Sequence, residues 1–208
     1  MRTILAVLLC APTLLMGQSK RRIVPGDIYR LKEVGSPVLS PDGQWVAYTV
    51  ATSDSAKDKR NNDIYMVSWD GSKTVRVTSS PDGESNPKWS PDNRYLAFTS
   101  GRGEDDKGAQ LWLLDRLGGE AQKITDIKSG VDDFEWSPDS KRFVLVINDA
   151  DPDTAAGKEK KTPKPIEVDR WDFKRDYSGY LNRRRDHLYL FDLASRKLEQ
   201  LTKGDFDD

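Results

Sequence analysis

The stretch WSPDNRYLAFTS at 89–100 has two relatives in the same chain, LSPDGQWVAYTV at 39–50 and WSPDSKRFVLVI at 136–147. Aligned on Ser40, Ser90 and Ser137, three of the four Ser-Pro-Asp triplets lie 50 and 47 residues apart; the other, at 80–82, falls outside that period. Internal periods of about 40–50 residues belong to propeller blades. The rest of each unit repeats too. The apolar runs DIYMVSWDG (from Asp63), QLWLLDRLGG (from Gln110) and HLYLFDLAS (from His187) are followed by TVRVT, AQKIT and LEQLT, each closing on threonine.

The triplet has a structural reading. In a type I turn serine suits the first position, proline presets φ at the second, aspartate is tolerated at the third, and a residue able to take positive φ follows. That residue is Gly43, Asn93 or Ser140. The three serines are therefore expected to cap hairpins. None is expected to be a nucleophile, because a nucleophile is not needed three times and none sits in a G-x-S-x-G elbow.

Between turns the runs are four to seven residues long and rich in Val, Ile, Leu, Tyr, Phe and Trp, with no long 3.6-residue period after the first segment. The expected fold is all-β: a partial β-propeller of about three four-stranded blades in an incomplete ring. The units fall around 36–78, 86–125 and 133–202. In the second, strands are expected at 86–89, 95–99, 110–114 and 121–125. Trp45, Trp89, Trp112 and Trp136 are assigned to packing between blades, since a small blade cannot cover its own faces. A ring closes with roughly four to eight blades, and the last residues, LTKGDFDD, read as a blade's final strand and the turn after it. The chain is thus expected to be the N-terminal part, 24–208, of a longer propeller, with an edge that invites association.

The 208 residues carry 33 basic and 34 acidic side chains, a net charge of -1, which gives no general drive toward nucleic acid or anionic membrane. Residues 1–17 read as a signal peptide: Arg2, an apolar run from Ile4 to Met16, then Gly17 before QSKRR. That implies export to the periplasm or the outside, with no membrane span after processing. The single cysteine, Cys10, lies in this segment, so the processed chain has no disulfide. Leu9 before it argues against lipid attachment.

The third unit breaks the period, with 77 residues from Leu111 to Leu188 where 47 separate Ile64 from Leu111. The insertion runs from 149 to 186. Its first half, DADPDTAAGKEKKTPKP, reads as a charged loop; its second half, IEVDRWDFKRDYSGYLNRRRDHLYLFDL, mixes aromatics with arginines around a Tyr-Ser-Gly-Tyr turn and reads as a hairpin.

Together the three units, the lead-in IVPGDIYRLKEVGSPVLSPDG and above all RWDFKRDYSGYLNRRRDHLYLFDL resemble the N-terminal propeller of the prolyl oligopeptidase family of serine peptidases, in its acylaminoacyl and dipeptidyl peptidase branch. The SPD units themselves are shared with TolB-like propellers. The resemblance implies a C-terminal α/β-hydrolase domain with a Ser-Asp-His triad, screened by the propeller so that only short or unfolded peptides enter. This chain has no G-x-S-x-G, so no catalytic residue is assigned and the chain alone is expected to be inactive. Arg170, Trp171, Asp176, Arg183, Arg184 and Arg185 are the residues expected near a substrate path, because arginines in a desolvated site pair with a peptide carboxylate or acidic partners.

Other chemistries find little support. His187, the only histidine, is read as a strand-edge residue. The acidic groups at 104–106, 132–133 and 205–208 lack calcium-loop spacing, and one histidine without cysteine does not make a zinc site. Neither metal nor cofactor is expected. Arg183–Arg185 and the lysines between 158 and 164 could meet phosphates, but no nucleic-acid motif accompanies them. Gly118-Gly119 is a hairpin turn, not a phosphate loop. The alternative reading is a TolB-like periplasmic propeller that binds a protein on its face without enzyme activity. A WD40-type scaffold has a single match, Trp69-Asp70.

Overall fold

The computed structural model of the chain describes residues 21–103, 108–150 and 184–208, with 168, 171, 173–176 and 179–180 between them. A 3-10 helix, Pro25–Arg30, leads in. Three four-stranded antiparallel meanders follow. Blade 1 is β1 (Glu33–Leu39), β2 (Trp45–Asp54), β3 (Lys59–Ser68) and β4 (Thr74–Arg76); blade 2 is β5 (Glu84–Trp89), β6 (Tyr95–Ser100), β7 (Gln110–Asp115) and β8 (Gln122–Lys123). Blade 3 is β9 (Asp133–Trp136), β10 (Arg142–Asn148), β13 (Asp186–Asp192) and β14 (Leu198–Gln200), and its insertion holds a two-stranded ribbon, β11 (Lys174–Arg175) with β12 (Gly179–Tyr180). This is a nearly all-β partial propeller.

The SPD turns build as their chemistry requires. Gly43 N–H bonds to Ser40 O at 2.8 Å, Asn93 N–H to Ser90 O at 2.8 Å and Ser140 N–H to Ser137 O at 3.0 Å. The residue after each of these three triplets takes positive φ: 68° at Gly43, 63° at Asn93 and 58° at Ser140. The serine hydroxyl then works twice. Ser90 Oγ donates to Asp92 Oδ1 at 2.6 Å and accepts from Tyr95 N–H at 2.8 Å; Ser40 and Ser137 do the same with Asp42 and Trp45, and with Asp139 and Arg142. The serines are caps.

Trp69-Asp70 belongs to the same device. In the β3–β4 turn, Ser68 Oγ donates to Asp70 Oδ1 at 2.6 Å and accepts from Lys73 N–H at 3.0 Å, while Gly71, at φ 73°, bonds to Ser68 O. SWDG thus builds the same turn with tryptophan in the proline position, whereas the SPDG at 80–83 does not, its Gly83 staying outside the positive-φ region, and Trp69 points to solvent.

Blades stack through one repeated contact. The indole N–H of Trp89 donates to Val38 O at 3.2 Å, and that of Trp136 to Lys88 O at 3.3 Å, so the tryptophan before each triplet hooks the preceding blade's innermost strand. Around the hooks lie two cores: Ala47, Ile64, Leu96 and Phe98 between blades 1 and 2, and Ala97, Leu111, Phe134, Phe143 and Leu145 between blades 2 and 3. Each fully buried Phe or Leu contributes about 1.5–3 kcal/mol by leaving water. Trp45 and Trp112 pack partly buried against the first core.

The innermost strands differ in one respect. β1 and β5 slip register at Ser36-Pro37 and Asn86-Pro87, where Ser36 and Asn86 take φ of 49° and 54°. Proline withholds a ladder N–H, and a bulge absorbs the mismatch. β9 has Phe134 at that position and pairs without a slip.

Candidate functional site

Because every blade is a meander, its connections alternate between two faces. One face carries the SPD turns and the β3–β4, β7–β8 and β13–β14 turns. It is closed on itself: Trp69, Arg116 and Leu193 N–H groups bond to Gln44, Arg94 and Lys141 carbonyls within each blade. Between blades, Asn93 Nδ2 donates to Asp42 and Ser140 Oγ accepts from Asp92 N–H at 2.9 Å. Asp42, fed by Ser40, Gln44, Asn93 and Arg116, is held far below the ordinary aspartate range, the Ser40 hydroxyl contributing most.

The opposite face carries the β2–β3, β6–β7 and β10–β13 connections, the last being the insertion, together with the links between blades. It is polar and built on a repeated unit. The N–H of Ile64, Leu111 and Leu188 donates to the hydroxyl of Thr78, Thr125 and Thr202, each at 2.9 Å. Each hydroxyl passes its own proton onward, Thr78 to Glu84 Oε2 at 2.7 Å, Thr125 to Gln110 Oε1 at 2.9 Å and Thr202 to Asp208 Oδ2. The closing threonines were visible as a repeat; their capping role was not, because their acceptors differ in type and in distance along the chain.

The residue before each of these capped amides, on each third strand, is also a buried polar side chain: Asp63, Gln110 and His187. His187 is therefore no exposed edge. It is the second residue of β13, 2% exposed, with Nδ1 3.1 Å from Asp208 Oδ2 and Nε2 3.8 Å from Asp149 Oδ1. Both ring nitrogens face carboxylates. The Thr202 hydroxyl, and then His187, hold the Asp208 carboxyl below its ordinary value.

The base of the insertion is clamped by charge. Asp149 N–H donates to Arg185 O at 2.8 Å, Arg185 N–H donates to Asp149 Oδ2 at 3.2 Å, and Arg184 Nε reaches Asp149 O at 2.6 Å. Arg185 also grips the following link through Asp205 at 3.0 Å and Asp207 at 3.6 Å. Two of the six residues singled out from sequence are thus brought together, as anchors. Trp171 is fully exposed and Asp176 stands exposed at the turn after β11. Arg170 and Arg183 lie outside the described residues, as does most of the 149–186 insertion's first half.

Toward the axis, Lys88 on β5 spans to β9, with Nζ 3.2 Å from Asp133, 2.9 Å from Glu135 and bonded to Phe134 O. At the outer rim, between blades 2 and 3, a cleft of about 400 Å3 is lined by Ile124, Ile127, Phe191, Arg196 and Leu198. Among the described residues no group of three or more His, Cys, Asp or Glu side chains is placed to hold a metal ion, and no helix is long and apolar enough to cross a membrane.

Comparison with known proteins matches residues 21–164 to the TolB beta propeller domain. An uncharacterized peptidase of Bacillus subtilis (strain 168), YuxL, is 32% identical over 79 residues, 38% of this chain and 12% of that protein. The acylaminoacyl peptidase of Pyrococcus horikoshii superimposes with a TM-score of 0.63 at 22% identity, over 85% of this chain and 26% of its own. A TolB from Agrobacterium tumefaciens superimposes at 0.50, also 22% identical, over 82% of this chain and 52% of its own. The chain therefore spans about a quarter of the peptidase and about half of the TolB.

Proposed function

The chain belongs to the TolB β-propeller family, and from that premise we propose that it is the propeller portion of an exported serine peptidase of the acylaminoacyl or dipeptidyl type. In this reading the propeller admits and orients short peptides for an α/β-hydrolase domain carried elsewhere in the same polypeptide. The observation that carries it is the inequality of the two faces. The SPD face is closed by bonds within and between blades, whereas the opposite face bears a long insertion on a charged base, Arg184 and Arg185 against Asp149, Asp205 and Asp207. Relatedness to a peptidase in sequence and fold supports the direction of the proposal.

Arg170, Trp171, Asp176 and Arg183 are the side chains assigned to the substrate path, with Arg184 and Arg185 fixing the insertion beneath them. Trp171 offers an uncovered aromatic face and the arginines a partner for a peptide carboxylate. Residues 1–17 would direct export and be removed.

The test uses the intact polypeptide and a series of N-acylated peptides of increasing length. Replacing Arg170 and Arg183 by alanine is expected to lower kcat/KM by about tenfold or more, the loss of a charge-assisted hydrogen bond, and to do so unequally across lengths. Unchanged kcat/KM at every length sinks the proposal.

A second reading rests on the family itself: a TolB-like propeller whose insertion face binds a protein, with no hydrolase attached. Absence of any peptidase activity from the intact polypeptide, together with a partner lost on Trp171→Ala, would favour it.

A further inference from the structure

We infer that the seam between blades 1 and 2 is a proton-controlled joint, in which Glu84 packs as the neutral acid and ionisation loosens the contact between blades.

Glu84 opens β5 and is completely buried, paired in register with Ser100 of β6. A carboxylate can accept from about four directions, yet among the described residues one donor reaches this one, the Thr78 hydroxyl at 2.7 Å on Oε2. Oε1 is buried without a hydrogen-bond partner. The surrounding charges come from three elements. Asp63 on β3 adds a second buried carboxylate, paired with Arg76 of β4 at 2.8 Å. Beyond β6, the Arg102 guanidinium comes no closer than 3.9 Å to Oε1, outside hydrogen-bond reach, and stacks on the Trp112 ring at 3.8 Å. An ionised Glu84 would hold a charge at a buried position with one hydrogen bond from the described residues, the arrangement that favours the neutral form. Burial indeed pushes the Glu84 carboxyl upward, against the Thr78 hydrogen bond and the Arg102 charge.

The next seam supplies an internal control. There Gln110 accepts the Thr125 hydroxyl proton at 2.9 Å, doing with a neutral side chain what Glu84 does for Thr78. Backbone groups match as well: Ile64 N–H bonds to Thr78 Oγ1 and Leu111 N–H to Thr125 Oγ1, both at 2.9 Å. The group that accepts the closing threonine's proton is ionisable in one seam and not in the next, although the two come from different strands.

A folded-state pKa raised above the unfolded value makes stability complete at low pH and removes it as pH rises from the unfolded value through the folded one. Amide exchange of the full chain, read as protection factors over a pH series, tests this. The ratio of Ile64 to Leu111 protection is expected to fall as pH rises, and to stay flat in Glu84→Gln. Carbon-13 titration of the glutamate carboxyls should place Glu84 above exposed Glu33, Glu135 and Glu199. A ratio independent of pH in the unaltered chain, or a Glu84 that titrates with or below the exposed glutamates, overturns the inference. Both readings need only the unaltered chain, so a variant that fails to fold does not shelter it. Neither depends on peptidase activity.

Discussion

Replacing Ser90 by alanine separates the capping role of the SPD serines from any catalytic one. Ser90 is fully buried, and its hydroxyl accepts from Tyr95 N–H at 2.8 Å while donating to Asp92 Oδ1 at 2.6 Å. Alanine removes both bonds and leaves a main-chain N–H without its acceptor. At about 1 kcal/mol for each net hydrogen bond, and somewhat more for a donor left unmet, the loss is ~2 kcal/mol. For a chain of this size that is a fall of roughly 4–8 °C in melting midpoint. Ser137→Ala removes the equivalent pair from a turn that solvent reaches, so water replaces part of the bonding and the loss should stay under ~1 kcal/mol. Calorimetry on both variants beside the unaltered chain gives the comparison. A Ser90→Ala change within ~0.5 kcal/mol of zero, or a Ser137→Ala loss as large as that of Ser90→Ala, refutes the reasoning.

Four further outcomes follow from the same geometry. Trp136→Phe keeps an aromatic ring against Phe143 but loses the indole bond to Lys88 O, and should cost about 1 kcal/mol in denaturant unfolding against ~3–5 kcal/mol for Trp136→Ala. Gly108→Ala would bring a Cβ within 2.3 Å of Ser129 O, whereas at Gly43 only the positive φ objects; the first should therefore lower the midpoint well beyond the second, which costs ~1 kcal/mol. Lys88→Met takes the cation from Asp133 and Glu135, both largely exposed and the former still bonded by Asn86 and Phe134 N–H, so its destabilisation relative to the unaltered chain should be modest and shrink as salt is added. The Ser68 hydroxyl, foremost, holds Asp70 down to about 2; a depressed carboxylate contributes above its unfolded value and loses that contribution as pH falls through its folded one. Between about pH 4 and pH 2 the unaltered chain should thus lose more melting midpoint than Asp70→Asn.

Strand order and turns were legible in the sequence because an SPD triplet set between two apolar runs fixes a φ and a capping hydroxyl, and because that arrangement recurs three times; the SPDG at 80–83, without such flanks, builds no such turn. The site was less so. Arg184 and Arg185 stand out as a basic run, but their partners Asp149, Asp205 and Asp207 lie 20 or more residues away, and only folding shows that the run anchors the insertion. The buried polar position before the capped amide of each third strand is Asp63, Gln110 or His187, three residue types with no common pattern, so periodicity passes over it and His187 read as an edge. Trp69-Asp70 was the single match to a WD40-type repeat, and its hydrogen bonds belong instead to a turn of the SPD kind.

The tryptophan hook makes the contact between blades directional: one flank of each blade offers a carbonyl and the other an indole N–H. Such an interface is heterologous, so it propagates, and it ends only where rotation closes it or where the complementary group is missing. Blade 3 turns Val144, Val146, Leu188 and Leu190 outward, partly uncovered, at the positions where Ala47, Thr49, Ile64 and Met66 meet blade 2. On blade 1, however, the place of Trp89 and Trp136 is taken by half-exposed Leu39, which has no N–H to give. Among the described blades the hook therefore runs one way, blade 2 onto blade 1 and blade 3 onto blade 2, so the placing of each blade on the one before it rests on a single indole proton.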